Sequence, residues 1–288
     1  SIIIGVTLAW LVCRYDFFMS KVIEWCLLLP LAMPAYIVAY CYTDFFEYSG
    51  TIQSTLRIIF NWNSANDYYF PEIRSLGGAI FVMSFVLYPY VYFISKIAFK
   101  STPVSLFEIA EIHGKNLFLW VAIPLARPAI IAGVSLVLME TISDFGTVEF
   151  FAVETITLGI FNLWLGMNNL GAASQLALVA FTFIIILLGI ELSARKKQKF
   201  NDTKIKSFNT IIKKVTPLKS LLIFGICLIP IIFGFLIPIS ILFINSLSYL
   251  DSENWSNLIS IAYNSFFISS IAALAMILIS IFIAISIK

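Results

Sequence analysis

Long unbroken apolar runs separated by polar segments set the pattern of this chain. Complete runs lie at Val22 to Tyr42, Leu76 to Phe99, Pro128 to Ile142, Ala173 to Leu192, Leu218 to Phe243 and Tyr263 to Ile287. A helix needs about 20 apolar residues to cross the hydrocarbon of a bilayer, and a chain in hydrocarbon must satisfy its backbone groups within each segment. The runs therefore predict an all-α fold, a polytopic transmembrane helix bundle with six complete spans. Ser1 to Val12 is half a span, and the Pro128 run is short enough to continue toward Gly146 or to end within the membrane depth. Because the chain starts at Ser1 inside one apolar run and stops at Lys288 at the end of another, it is expected to be part of a longer protein.

Composition agrees with this solvent. Apolar residues make up 60% of the 288 residues and charged residues 12%, about half of what an average soluble domain carries. The balance of 18 Lys and Arg against 16 Asp and Glu leaves no basic excess to suggest nucleic acid. Where the cations fall matters more than how many there are, because Lys and Arg are retained on the cytoplasmic side during insertion. If the half-span runs inward, that side holds Arg14, Lys21, Lys96, Lys100, Lys115, Arg127, the nine cations from Arg195 to Lys219, and Lys288. These are 16 of the 18, leaving Arg57 and Arg74 outside. Misplacing one span would scatter the charges over both faces.

The connections differ in kind. Thr43 to Ser75 is external and rich in rings and amides (Phe60, Trp62, Tyr68, Asn61, Asn63), which predicts an interfacial helix plus loop. Arg195 to Lys219 reads as a solvated basic linker attracted to anionic lipid. A weak echo relates Ser1 to Trp10, followed by Arg14, to Ile279 to Ile287, followed by Lys288. Each would be an inward-going helix with a cation at its end, as expected of a repeat.

The internal connection from Lys100 to Arg127 is too apolar for a solvated loop. Pro103 marks a helix start, Val104, Phe107, Glu108 and Glu111 fall at helical spacing, and Gly114 stands where the helix stops. A second short helix is expected at Leu117 to Val121, closed by Pro124. Two short helices joined at a glycine, one with an acidic exposed face, make a knob suited to a groove on a soluble partner.

These residues resemble the EAA loop of binding-protein-dependent ABC importer permeases, whose pattern is Glu-Ala-Ala-x3-Gly, a spacer, then Ile-x-Leu-Pro. Glu108, Ala110, Gly114 and Pro124 match, while Ile109, Val121 and Ile123 are apolar replacements. The spacer is about one helical turn shorter than the family's. The likeness extends from Gly5 to about Leu192: Trp10 to Phe17, Glu24 to Tyr40, Pro124 to Pro128 and Met139 to Thr147 are similar to the iron(III) importer permeases, which are fused duplicates with an EAA loop in each half. The resemblance implies a type I permease fold with residues 1–194 as a first half lacking its start. A basic cytoplasmic linker would follow at 195–217, and 218–288 would open a second half. It implies a cytoplasmic ATPase dimer gripping the loop, a periplasmic binding protein delivering ferric iron, and a multi-pass place in the bacterial inner membrane. Thiamine, sulfate and polyamine permeases share the loop. The chain holds no Gly-x4-Gly-Lys-Ser/Thr cradle, so ATP and magnesium belong to the partner subunit and no cofactor is expected here.

Among single residues, Glu140 and Asp144 lie four apart near the outer end of the Pro128 span. Ionisable groups at that depth are functional candidates by default, and hard carboxylate oxygens suit a passing ferric ion. Both are candidates for the translocation path, against the alternative that they satisfy backbone groups where the helix breaks before Gly146. Neither is assigned as a metal ligand. Glu24 is expected to pair with Lys21 on its own helix. His113 has no second ligand near it and reads as a polar position on the knob. Cys13, Cys26, Cys41 and Cys227 read as small hydrophobes. Tyr88, Tyr90 and Tyr92 alternate in direction and are not expected to share a metal. Pro30, Pro34, Pro89, Pro230 and Pro238 are expected to kink their spans. An ion-coupled secondary transporter would need buried coupling carboxylates and no EAA loop. A membrane enzyme would need a base, nucleophile or metal constellation that the sequence does not offer.

Overall fold

The computed structural model describes residues 1–196, 212–248 and 255–286. Most of the expected linker (197–211), the cations Lys197, Lys199, Lys204, Lys206 and Lys288, and the last residue of the echo, Ile287, lie outside the described residues. Helices α1 (Ile2–Arg14), α2 (Ser20–Cys26), α3 (Ala35–Phe46), α4 (Thr51–Phe60), α5 (Leu76–Ser101) and α6 (Val104–Ile112) come first. They are followed by α7 (Ile123–Ser143), α8 (Gly146–Phe150), α9 (Ile156–Phe161), α10 (Leu170–Lys196), α11 (Pro217–Ile231), α12 (Ile237–Ser248) and α13 (Trp255–Ser286). The only strands among the described residues are the two-residue β1 (Tyr15–Asp16) and β2 (Lys213–Lys214), paired in parallel. Five helical stretches are long and apolar enough to cross a membrane, or six if the bent pair below is one span.

That bent pair corrects the expectation of a continuous helix from Val22 to Tyr42. The chain turns by 87° between Ser20–Ala32 and Ala35–Phe60, because Pro30 and Pro34 lack the N–H that a helix interior uses. The amides of Leu28 and Leu31 bond back to Trp25 and Leu28, leaving the carbonyls of Glu24 and Leu27 without helical partners. Two tyrosines of α5 supply them: the Tyr92 hydroxyl donates to the Glu24 carbonyl at 3.0 Å and that of Tyr88 to the Leu27 carbonyl at 2.9 Å. A broken helix at membrane depth is tolerated where a neighbour satisfies its freed groups in this way.

The same logic repeats near Pro238. A wide turn at Ile232–Leu236 lets the Ile237 amide bond back five residues to Ile232. The freed Phe233 carbonyl accepts from the Tyr42 hydroxyl at 2.6 Å.

Helix α5, about 39 Å long at 1.5 Å per residue, is the axis on which the others lean. Gly5 of α1 and Gly133 of α7 bring their backbones against Val91 from either side. A side chain at Gly5 would come within 2.8 Å of Val91 Cβ, and one at Gly133 within 2.9 Å of Val91 Cα. Small residues at such crossings let helices approach closely enough for dispersion to act where lipid removes the hydrophobic drive.

Most of the cations stand at one end of α5 and two arginines at the other. At its C-terminal end, Lys96 and Lys100 contact Glu24 at 2.8 and 2.7 Å, and Arg14 and Lys213 approach Glu111 at 4.0 and 2.6 Å. At its N-terminal end, Arg74 pairs with Glu47 at 2.6 Å and Arg57 donates to the Tyr48 carbonyl and the Tyr68 hydroxyl. This is the sidedness that the cation pattern predicts. Glu24, however, bridges to Lys96 and Lys100 of α5 in place of the expected pairing with Lys21 on its own helix. The chain divides into Ser1–Ile241 and Leu242–Lys288. The first unit runs through the expected linker and takes in α11, and the second holds α13.

Candidate functional site

Val104 and Phe107 are buried and Ala110 is half-buried on α6, a stripe at three-residue spacing that fixes which face turns inward. Phe107 meets Trp10 of α1 with ring centroids 6.0 Å apart, and Trp10 also meets Phe99 and Phe118 at 5.9 and 5.4 Å. This aromatic cluster seats the knob on the inner ends of α1 and α5. Glu108 lies on the opposite, exposed face and makes no ion pair among the described residues.

The knob's turn follows from backbone chemistry. Gly114 takes φ +64°, a left-handed conformation that costs other L-residues energy. Its amide bonds to the Glu111 carbonyl at 3.0 Å and the next amide, of Lys115, to the Ala110 carbonyl at 2.9 Å. Together these close the helix as a Schellman cap. Asn116 then opens the next segment, its side-chain oxygen accepting from the amides of Phe118 and Leu119 at 3.0 and 3.2 Å. The sequence singled out Gly114. Asn116 was missed, although an amide side chain two residues after a helix-stopping glycine is a start signal.

The second helix differs from expectation. Phe118–Ala122 is a wide turn continuous with α7, so the membrane helix starts at Phe118 and runs without a break to Ser143. Pro124 does not close a short helix; it lies within a long one, just past the wide turn. The wide turn accommodates it: the Ile123 amide reaches back five residues to Phe118, loosening the coil just before the residue that cannot donate.

Between α6 and this wide turn lies a groove of about 490 Å³, lined by Ala110, His113, Lys115, Trp120 and Pro124 among others. Two of the four residues matched to the EAA pattern, Ala110 and Pro124, line it, while Glu108 and Gly114 do not. His113 Nδ1 lies 2.8 Å from the Ile109 carbonyl, and Lys115 lies over the Trp120 ring at 4.8 Å. Around the groove, Ile109, Ile112, Leu119 and Trp120 are exposed, Ile112 by 82% and Trp120 by 64%. Ile109 and Ile112 stand on α6, before the apolar helix Phe118–Ser143 begins, whereas Leu119 and Trp120 lie at its start.

Glu111 turns toward the body of the protein. Lys213, its nearest partner, together with Arg14 holds its carboxyl below the usual carboxylate range. The knob is thereby tied to the C-terminal end of α1 and to β2. Arg14 and Lys213 were read from the sequence only as cations of one face; their pairing with Glu111 was missed, because nothing local relates positions so far apart.

At the other end, Asp144 is past the end of α7, with an extended backbone. Its carboxylate accepts from the Thr147 amide and hydroxyl, both at 2.9 Å, and from the Val148 amide at 3.2 Å. It thus caps the start of α8. Glu140 is within α7 and exposed, so the two carboxylates do not share a helix face. No cluster of three or more His, Cys, Asp or Glu suited to a metal occurs among the described residues, and all four cysteines are unpaired with one another.

A family model described as binding-protein-dependent transport system inner membrane component matches residues 1–194. The Fe(3+)-transport system permease protein FbpB 2 of Haemophilus influenzae is 26% identical over 95% of this chain, which spans 51% of that protein's length. The putative molybdenum transport system permease protein YvgM of Bacillus subtilis is 25% identical over 62% of the chain and 79% of its own length. The molybdenum transport system permease protein ModB of Haemophilus influenzae is 24% identical over 67% of the chain and 84% of its own length.

Proposed function

Since the chain belongs to the family of binding-protein-dependent transport system inner membrane components, we propose that it is part of the membrane-spanning permease of an ATP-driven importer. The carrying observation is the hairpin of Glu108, Ala110, Gly114 and Pro124, which exposes Ile109 and Ile112 on α6, before the membrane helix begins at Phe118. Exposed apolar residues clustered beyond the lipid-facing length mark a protein contact, and a soluble ATPase is the partner that this contact serves. ATP is hydrolysed on that partner. Its closure pushes the knob, and through Trp10, Phe107 and the Glu111 pairs with Arg14 and Lys213 moves the inner ends of α1 and α5 between inward-facing and outward-facing states. A periplasmic binding protein delivers the cargo at the opposite face.

The proposed cargo is ferric iron, supported by the relative whose match extends over 95% of this chain. The molybdenum permeases support a second reading. Glu140 is placed along the path: a carboxylate exposed on a membrane helix is too costly to leave in hydrocarbon, so it faces water or a second permease half. Asp144 takes the structural part, fixing the turn into α8. The test is uptake of labelled ferric ion, with molybdate and thiamine as competitors, in cells carrying the complete gene and its binding protein. Uptake unaffected by either competitor is expected. Labelled molybdate uptake without ferric uptake would replace the cargo assignment and leave the coupling reading standing.

A further inference from the structure

A second concavity, of about 620 Å³, lies where α1 and α11 reach the cytoplasmic side. It is lined by Leu11, Tyr15, Lys213, Lys214, Lys219 and Leu222 among others. The parallel pairing of β2 with β1 sets Lys213 beside Tyr15 and Lys214 beside Asp16, holding two lysines against the end of α1. One turn into α11, Lys219 joins them. The amides of Leu218 and Lys219 are in the first helical turn, where no carbonyl of the same helix can accept them, and Thr216 makes no side-chain cap.

The local charges do not cancel. Four cations (Arg14, Lys213, Lys214, Lys219) face two carboxylates, Glu111 and Asp16. Glu111 is taken by Lys213 at 2.6 Å and Arg14 at 4.0 Å, and Asp16 accepts from the Ser20 hydroxyl at 3.4 Å. Lys214 and Lys219 make no ion pair among the described residues. The opposite wall is apolar: Leu222 is exposed by 59%, with Leu11 half-buried beside Ile223. A site with ammonium groups at the headgroup level and a hydrocarbon wall running into the membrane has the chemistry of one ligand class.

The geometry points to a binding site for an anionic phospholipid, its phosphate on Lys214, Lys219 and the start of α11, and its acyl chain along Leu11 and Leu222. Basic pockets between membrane helices on the cytoplasmic side take acidic headgroups in this manner. The site is independent of the cargo and of the coupling reading. A lipid there would brace β2, and with it Lys213, against the knob's Glu111.

The test is native mass spectrometry of the full-length protein in detergent, titrated with phosphatidylglycerol, phosphatidylcholine or inorganic phosphate. Retention of phosphatidylglycerol over phosphatidylcholine is expected. The double variant Lys214→Gln/Lys219→Gln is expected to weaken it roughly 30-fold, from the usual contribution of two surface lysines. Lys21→Gln, a lysine of the same face outside the pocket, is expected to leave it unchanged, and Lys214→Arg/Lys219→Arg to retain it if the glutamine pair fails to fold. Equal retention of both lipids, equal loss with Lys21→Gln, loss in the arginine pair, or displacement of the lipid by inorganic phosphate at comparable concentration would overturn the proposal.

Discussion

Gly114→Arg is expected to abolish ATP-driven uptake while leaving membrane insertion intact. At φ +64° any residue with a Cβ pays about 1–2 kcal/mol. That is too little to unfold a bundle held elsewhere, but it acts on a turn whose direction is set by the Schellman cap and the Asn116 cap. Space does not protect the position or doom it, since a Cβ there meets nothing within 4 Å. The damage comes from re-aimed backbone and from a cation set on the docking surface beside exposed Ile112. Conformation and charge can be separated. Gly114→Val should lose most transport and most co-purification with the ATPase. Gly114→Asn, which tolerates the left-handed region, should keep the greater part of both. Full transport in Gly114→Val would show that the turn does not set the coupling geometry.

Gly5→Leu is expected to prevent accumulation of folded protein. A Cβ alone would stand 2.8 Å from the Tyr92 amide nitrogen and 2.9 Å from the Tyr88 carbonyl oxygen, and backbone atoms cannot swing away. Overpacking a core commonly costs about 1–3 kcal/mol. Here the displaced segment of α5 also carries the two hydroxyls that satisfy the carbonyls of Glu24 and Leu27. Pushing α1 off α5 therefore exposes unpaired backbone groups within the membrane as well. Gly189→Leu, on α10 where a Cβ meets nothing within 4 Å, should be tolerated. Yield of monodisperse protein after detergent extraction separates the two, and equal yields would contradict the packing account of Gly5.

Most of the spans, and the end of the bundle at which the cations gather, were legible because both rest on local signals. Hydropathy over about 20 residues marks a span, and the placement of each cation on one side or the other marks its direction. Gly114 was legible for a similar reason, as a helix stop within one short segment. What escaped was what depends on a distant partner. Val22 to Tyr42 reads as one helix because Pro30 and Pro34 alone suggest a kink. Only the Tyr88 and Tyr92 hydroxyls, some sixty residues on, make a full break affordable. Pro124 reads as a terminator for the same reason, since the wide turn that accommodates it has no one-letter signature. Glu24 has a cation three residues away in sequence, yet the structure gives it Lys96 and Lys100. Asp144 shows the limit for candidate sites: its spacing from Glu140 suggests a shared face, and its actual role is set by Thr147 and Val148, which follow it.

The most direct measurement uses the full-length protein reconstituted into vesicles with its ATPase and binding protein. Cargo uptake should require ATP on the ATPase side and cease when ATP is withheld, even under an imposed proton or sodium gradient. Uptake that continues without ATP on the gradient alone would contradict a knob driven by an ATPase and assign the bundle to an ion-coupled transporter.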